Sequence, residues 1–211
     1  MYQSQAGDEF PNILNYELTF KVTGLSFLFC DLLADGFSYL EPLFICDQKE
    51  FRQYFPNDKM RWAENEGNRW LGEENGFDKY KEEFKQFHNR ARSEFAEILK
   101  VEKLTRDLVK SFFEMFEKYL NYYSRMDYQF TNKVFGLTDG NLIIKENLAK
   151  LAAFKDVARV WVNQAVIDED SFYAKTVEKI AKQFKMSRET VENCKANEIL
   201  QLFEGLEVNS E

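Results

Sequence analysis

The hydrophobic period of this chain changes once, near residue 58, and that change bounds its fold. Residues 16–22, Tyr-Glu-Leu-Thr-Phe-Lys-Val, alternate apolar and polar, with Tyr16, Leu18, Phe20 and Val22 on one face. Strict alternation predicts a half-buried strand, which Gly24 closes. The apolar run Leu25–Leu33 predicts a short buried helix stopped at Asp35-Gly36. Leu40–Ile45 reads as a second strand, and Phe51–Phe55, closed by Pro56, as a third strand or a turn of helix. From Asp58 onward apolar residues recur every three or four positions, the period of an amphipathic helix. The expected fold is therefore α+β and mostly α. A small strand-containing layer over residues 1–57 is followed by a helical bundle over 58–211, packed as one compact unit.

Within the bundle, Asp58–Glu73 predicts a weak helix interrupted at Gly67. Asn75 is placed to cap a helix from Phe77 to about Leu99, whose stripe is Phe77, Tyr80, Phe84, Phe87, Ala91 and Phe95. Thr105 caps the next, from Arg106 to about Phe135. There one stripe carries Leu108, Phe112, Met115, Tyr119, Tyr122, Met126 and Phe130, and its neighbour carries Phe113, Phe116, Leu120 and Tyr123. A helix apolar on two stripes is expected at the centre of a bundle. A further helix spans about Asn141–Val166. Asp170 is expected to cap Phe172–Phe184, Ser187 a short helix to about Asn193, and Ala196–Glu204 ends at Gly205.

The chain holds 21 Phe and 10 Tyr in 211 residues. Most of these rings must be core, because aromatics bury the most area per residue. The circumference of the Arg106–Phe135 helix is so aromatic that part of it should line a groove for a partner or ligand. Tyr122, Tyr123 and Tyr128 are the candidates, since their hydroxyls can meet water while the rings stay covered.

Catalytic chemistry is narrowed by one count: there is a single histidine, His88. Imidazole is the side chain that titrates near neutrality and the commonest metal ligand. Triads, zinc sites and di-iron centres built on Glu-x-x-His are all poorly served, the more so because Lys85 stands where that Glu would be. Set in a charged run, His88 is expected to be exposed or half-exposed on its helix. Gly67–Gly72 has the glycine spacing of a phosphate loop but continues Glu73-Glu74 where Lys-Ser/Thr is required. The run Asp168, Glu169, Asp170 sits at a helix start, where acids complement the dipole. No catalytic, cofactor-binding or metal-binding residue is expected on these grounds. Three cysteines, Cys30, Cys46 and Cys194, show no pairing pattern and read as free buried thiols.

A net charge of −8 disfavours a polyphosphate partner. One segment argues otherwise. Val177–Val191 has a helix-turn-helix cadence, with Ala181 on the first helix, Met186 in the turn and Ser187 at the second cap. Lys182 and Arg188 would be its DNA contacts. The N-terminal run Met1–Phe10 is neither basic nor apolar, and no apolar run is long enough for a membrane span. A cytoplasmic location, without membrane contact, is the expectation.

The C-terminal third carries a family likeness. Ala152–Trp161 (Ala-Ala-Phe-Lys-Asp-Val-Ala-Arg-Val-Trp), Val177–Val191 and Ala196–Gly205 (Ala-Asn-Glu-Ile-Leu-Gln-Leu-Phe-Glu-Gly) resemble the helical stretch of phosphoenolpyruvate-utilising, phosphoenolpyruvate-synthase-like proteins. In those proteins the stretch precedes a swivelling phosphohistidine domain. The upstream order, strand Glu17–Val22, aromatic segment Phe51–Phe55 and then long helices, is similar too. The family's Thr-x-Gly-Gly-x-x-Ser-His motif and its glycine-rich ATP-grasp segment have no counterpart here, so no catalytic residue carries over. The resemblance implies a helical accessory or linker module that is inactive by itself. It would act through a protein partner, a separate phosphohistidine or ATP-binding subunit. Two other classes stay open: a DNA-binding regulator using residues 175–193, and an enzyme whose carboxylates and tyrosines converge only in the folded chain.

Overall fold

The computed structural model describes residues 15–46, 50–128 and 142–205. Strand β1 (Tyr16–Val22), helix α1 (Phe27–Gly36), β2 (Leu43–Cys46) and β3 (Phe51–Pro56) form the N-terminal layer. The helices follow: α2 (Asn57–Gly72), α3 (Gly76–Lys100), α4 (Arg106–Tyr128), α5 (Leu142–Val162), α6 (Phe172–Phe184), α7 (Arg188–Glu192) and α8 (Ala196–Leu202). This is the mostly helical α+β architecture that the change of period predicts.

The sheet is antiparallel in the order β1-β3-β2. Its central strand alternates cleanly, with Phe51, Gln53 and Phe55 buried and Arg52 and Tyr54 half-buried. The edge strand does not. A bulge between Leu18 and Phe20 shifts the register against β3, so Leu18, expected inside, is 48% exposed. An extra residue in one strand of a pair breaks the two-residue alternation, which the sequence pattern alone does not anticipate.

Helix α1 is capped by Ser26, whose Oγ accepts from the Phe29 amide at 3.2 Å. It packs on α4 so closely that a Cβ at Gly36 would sit 2.8 Å from the Leu120 Cβ. Gly36 is thus the last helical residue, kept small for the crossing, rather than the breaker that its position suggested. Helix α2 runs through Gly67 without a break. Gly67 is buried, and packing there overrides an intrinsic penalty of about 1 kcal/mol. Asn75 holds the N-cap position of α3 in the left-handed region (φ 59°) with no side-chain cap bond, so it serves as a turn residue. Thr105 and Ser187 cap as expected. The cap of α6 is Ser171, with its Oγ accepting from the Ala174 amide at 3.2 Å, rather than Asp170.

Helix α4 is the axis of the bundle and meets α1, α3, α5 and α8. Phe112, Phe113, Phe116 and Tyr119 are all buried. Around them the rings form a continuous network, including Phe84 on Tyr122 (4.9 Å, 6°) and Phe95 on Phe172 (5.0 Å, 26°). The expected continuation to Phe135, with Phe130 on its stripe, lies outside the described residues. Helix α5 ends in a π turn, Asn163–Ile167, marked by the Asp168 amide donating to the Asn163 carbonyl at 2.9 Å.

Candidate functional site

Where α1, β3, α4 and the end of α5 meet, the layers do not close. They leave a cavity of about 300 Å³. Its walls are apolar, from Leu25, Phe29, Leu33 and Phe37 on one side and Leu120 and Val162 on the other. Its polar groups are few: Gln53, Tyr123, Asp127, Arg159 and Asn163. A concave apolar surface with a small number of placed polar groups is the usual form of a small-molecule site.

Depth follows from burial. Gln53 is 1% exposed and Val162 4%, so they form the floor, whereas Ile167 at 55% and the exposed Arg159 form the mouth. Two backbone irregularities border the space. The β1 bulge lies opposite Gln53, whose carbonyl accepts from the Thr19 hydroxyl at 3.2 Å. The π turn supplies Asn163 and Ile167. Bulges of both kinds concentrate at functional sites because they re-aim side chains that regular elements would hold elsewhere.

The floor carries an unmet demand. The Gln53 Nε2 is buried and has no hydrogen-bond partner among the described residues, which costs about 1–3 kcal/mol if it stays so. At the mouth the Arg159 Nε donates to the Tyr123 hydroxyl at 3.3 Å. The Asp127 carboxylate pairs with the Lys155 ammonium at 2.5 Å, so its charge is offset there.

The tyrosines expected in a groove separate. Tyr123 lines the cavity. Tyr122 does not; it is half-buried against Phe84 and Phe87, and its carbonyl accepts from the Tyr80 hydroxyl. Tyr128 ends α4, and its side chain lies outside the described residues. His88 corrects the expectation of exposure. It is 4% exposed, stacks on Trp161, and its Nδ1 pairs with the Tyr119 hydroxyl at 2.7 Å. Burial, and then Arg92, holds its imidazole down to about 4. The cysteines divide as well: Cys30 and Cys194 are buried, but Cys46 is exposed.

Lys182 and Arg188, the candidate DNA contacts, each pair with a glutamate on their own helix, Glu178 at 3.2 Å and Glu192 at 2.9 Å. The second helix of that motif, α7, has five residues, and Lys179 is turned inward onto carbonyls of the α3 end. Glu117 and Asp35 are the carboxyls raised by burial, Glu117 to about 7, with Asp31 as a further charge on both. They sit at the α1–α4 contact, and neither lines the cavity. Among the described residues no group of three or more His, Cys, Asp or Glu is placed to hold a metal ion. None of the helices described is long and apolar enough to cross a membrane.

Comparison with family models, curated proteins and solved structures finds no match. The functional reading therefore rests on the residues and on the resemblance.

Proposed function

We propose that this chain is a non-catalytic helical accessory module, similar to the middle region of phosphoenolpyruvate-synthase-like proteins, that works in the cytoplasm by docking a separate phosphohistidine domain. The observation that carries the reading is on α5. Val157 and Val160 are 45% and 53% exposed, one turn apart, within Ala152–Trp161, the first of the three runs that carry the resemblance. Two neighbouring β-branched side chains left in water on a helix whose other face is core are a ready contact for a second body. His88 supports the same reading. Its imidazole is enclosed by Tyr119 and Trp161, so phosphoryl transfer onto it would first require the ring stack to open.

The test is a titration of this chain with an isolated phosphohistidine domain of a phosphoenolpyruvate-synthase-like protein, followed by light scattering. A one-to-one complex is expected, and Val157→Glu with Val160→Glu should remove it without changing the melting temperature. Absence of any complex at high micromolar concentration rejects the reading, and so does a complex indifferent to both glutamates.

A further inference from the structure

We propose that the cavity between α1, β3, α4 and the π turn binds a small organic carboxylate whose apolar body carries one carbonyl or hydroxyl oxygen. Three features fix that class. The first is the floor: Gln53 lines the space, and its amide nitrogen is buried without a partner among the described residues, a demand that an acceptor brought to that depth would meet. Phe51 and Phe55 flank it on β3 and are buried too, so the strand aims Gln53 into the interior rather than toward water.

The second is the wall. Between floor and mouth stand Phe29, Leu33, Leu120 and Val162, which reward an aliphatic or aryl body and offer nothing to a sugar or nucleotide. A volume of about 300 Å³ holds roughly ten water-sized groups at about 30 Å³ each, which is the size of an eight-carbon acid.

The third is the mouth. The Arg159 Nε donates to Tyr123, and its planar fork is suited to a carboxylate. The one acid lining the cavity, Asp127, has the Lys155 ammonium against it, so the entrance does not repel an anion.

This site is separate from the docking surface. Arg159, Val162 and Asn163 line the cavity, and neither Val157 nor Val160 does. Either proposal can therefore fail without the other.

The test is calorimetric titration of the full chain with octanoate, a chain-keto octanoate and octanol. The keto acid should bind best, octanoate less well and octanol weakest. Arg159→Met should weaken both acids about tenfold, the value of one charge-assisted bond, and leave octanol unchanged. Gln53→Leu should abolish the advantage of the keto acid over octanoate while octanoate still binds. Binding of none of the three at millimolar concentration overturns the proposal. So does binding that ignores both substitutions, or an alcohol that binds as well as the acids.

Discussion

The ring of His88 lies flat against that of Trp161, with centroids 4.1 Å apart and planes within 9°. This pairing joins α3 to α5 in the middle of the aromatic core, where Phe84 and Phe154 also meet Trp161 edge-on. It converts the only histidine from a reactive group into a packing group. The imidazole stays neutral in the folded chain down to about pH 4, whereas the unfolded chain takes up a proton below its ordinary 6.5. The contribution of His88 is thus fully present above pH 6.5 and is lost as pH falls toward 4, by roughly 2 kcal/mol. Urea titrations from pH 7 to 4 should show this fall, and His88→Gln, which can still bond Tyr119, should remove most of it. An unchanged slope in the variant would assign the acid sensitivity elsewhere.

Glu117 works in the opposite direction. Burial first, then the charges of Asp35, Glu114 and Asp31, keep its carboxyl protonated in the folded chain to about pH 7. The unfolded chain ionises it near 4.5, so stability is lost as pH rises from 4.5 through 7. Glu117→Gln should therefore stabilise the protein at pH 8, by about 1 kcal/mol, and leave it unchanged at pH 4. Equal effects at both pH values would show that packing rather than ionisation is responsible.

Much of this was readable in advance, and some that was missed had a signal. Phe77, Phe84, Ala91 and Phe95 define the buried stripe of α3, and His88, four residues after Phe84 and three before Ala91, falls on it. Its charged neighbours disguised a position that spacing alone assigns to the core. Gln53 is similar, since Phe51 and Phe55 on either side place it on the buried face of β3. The cavity itself was not legible. It arises because residues from α1, β3, α4 and α5 fail to fill the space between them, and no local pattern encodes a void between distant segments. Nor was the bulge at Thr19, which a strictly alternating strand conceals.

Lys179 shows the same limit from the other side. On the sequence it belongs to a basic segment, but its ammonium donates to the carbonyls of Ile98 at 3.3 Å and Leu99 at 2.9 Å, and to that of Val101. Those carbonyls lie at the end of α3, where a cation also complements the helix dipole. Lys179→Met keeps the aliphatic stem and removes the donors. Chemical denaturation should register a loss of about 1–3 kcal/mol. A loss under half a kilocalorie would mean that water replaces the ammonium freely.

Burial first, then the neighbouring Cys46 thiol of β2, push the Cys30 thiol of α1 up. Cys46 is exposed. Treatment with diamide, which takes two hydrogens, is expected to join these two sulfurs and leave Cys194 reduced, read by peptide mass mapping. Reaction of Cys46 alone with added glutathione would show that the buried partner cannot reach it.

The docking claim is tested most directly by hydrogen–deuterium exchange on this chain with and without the phosphohistidine domain. Slower exchange is expected in peptides covering residues 152–162, with the rest of the described helices unchanged. Protection confined to other segments, or none at all under conditions where the domain is saturating, would contradict the assignment of α5 as the docking face.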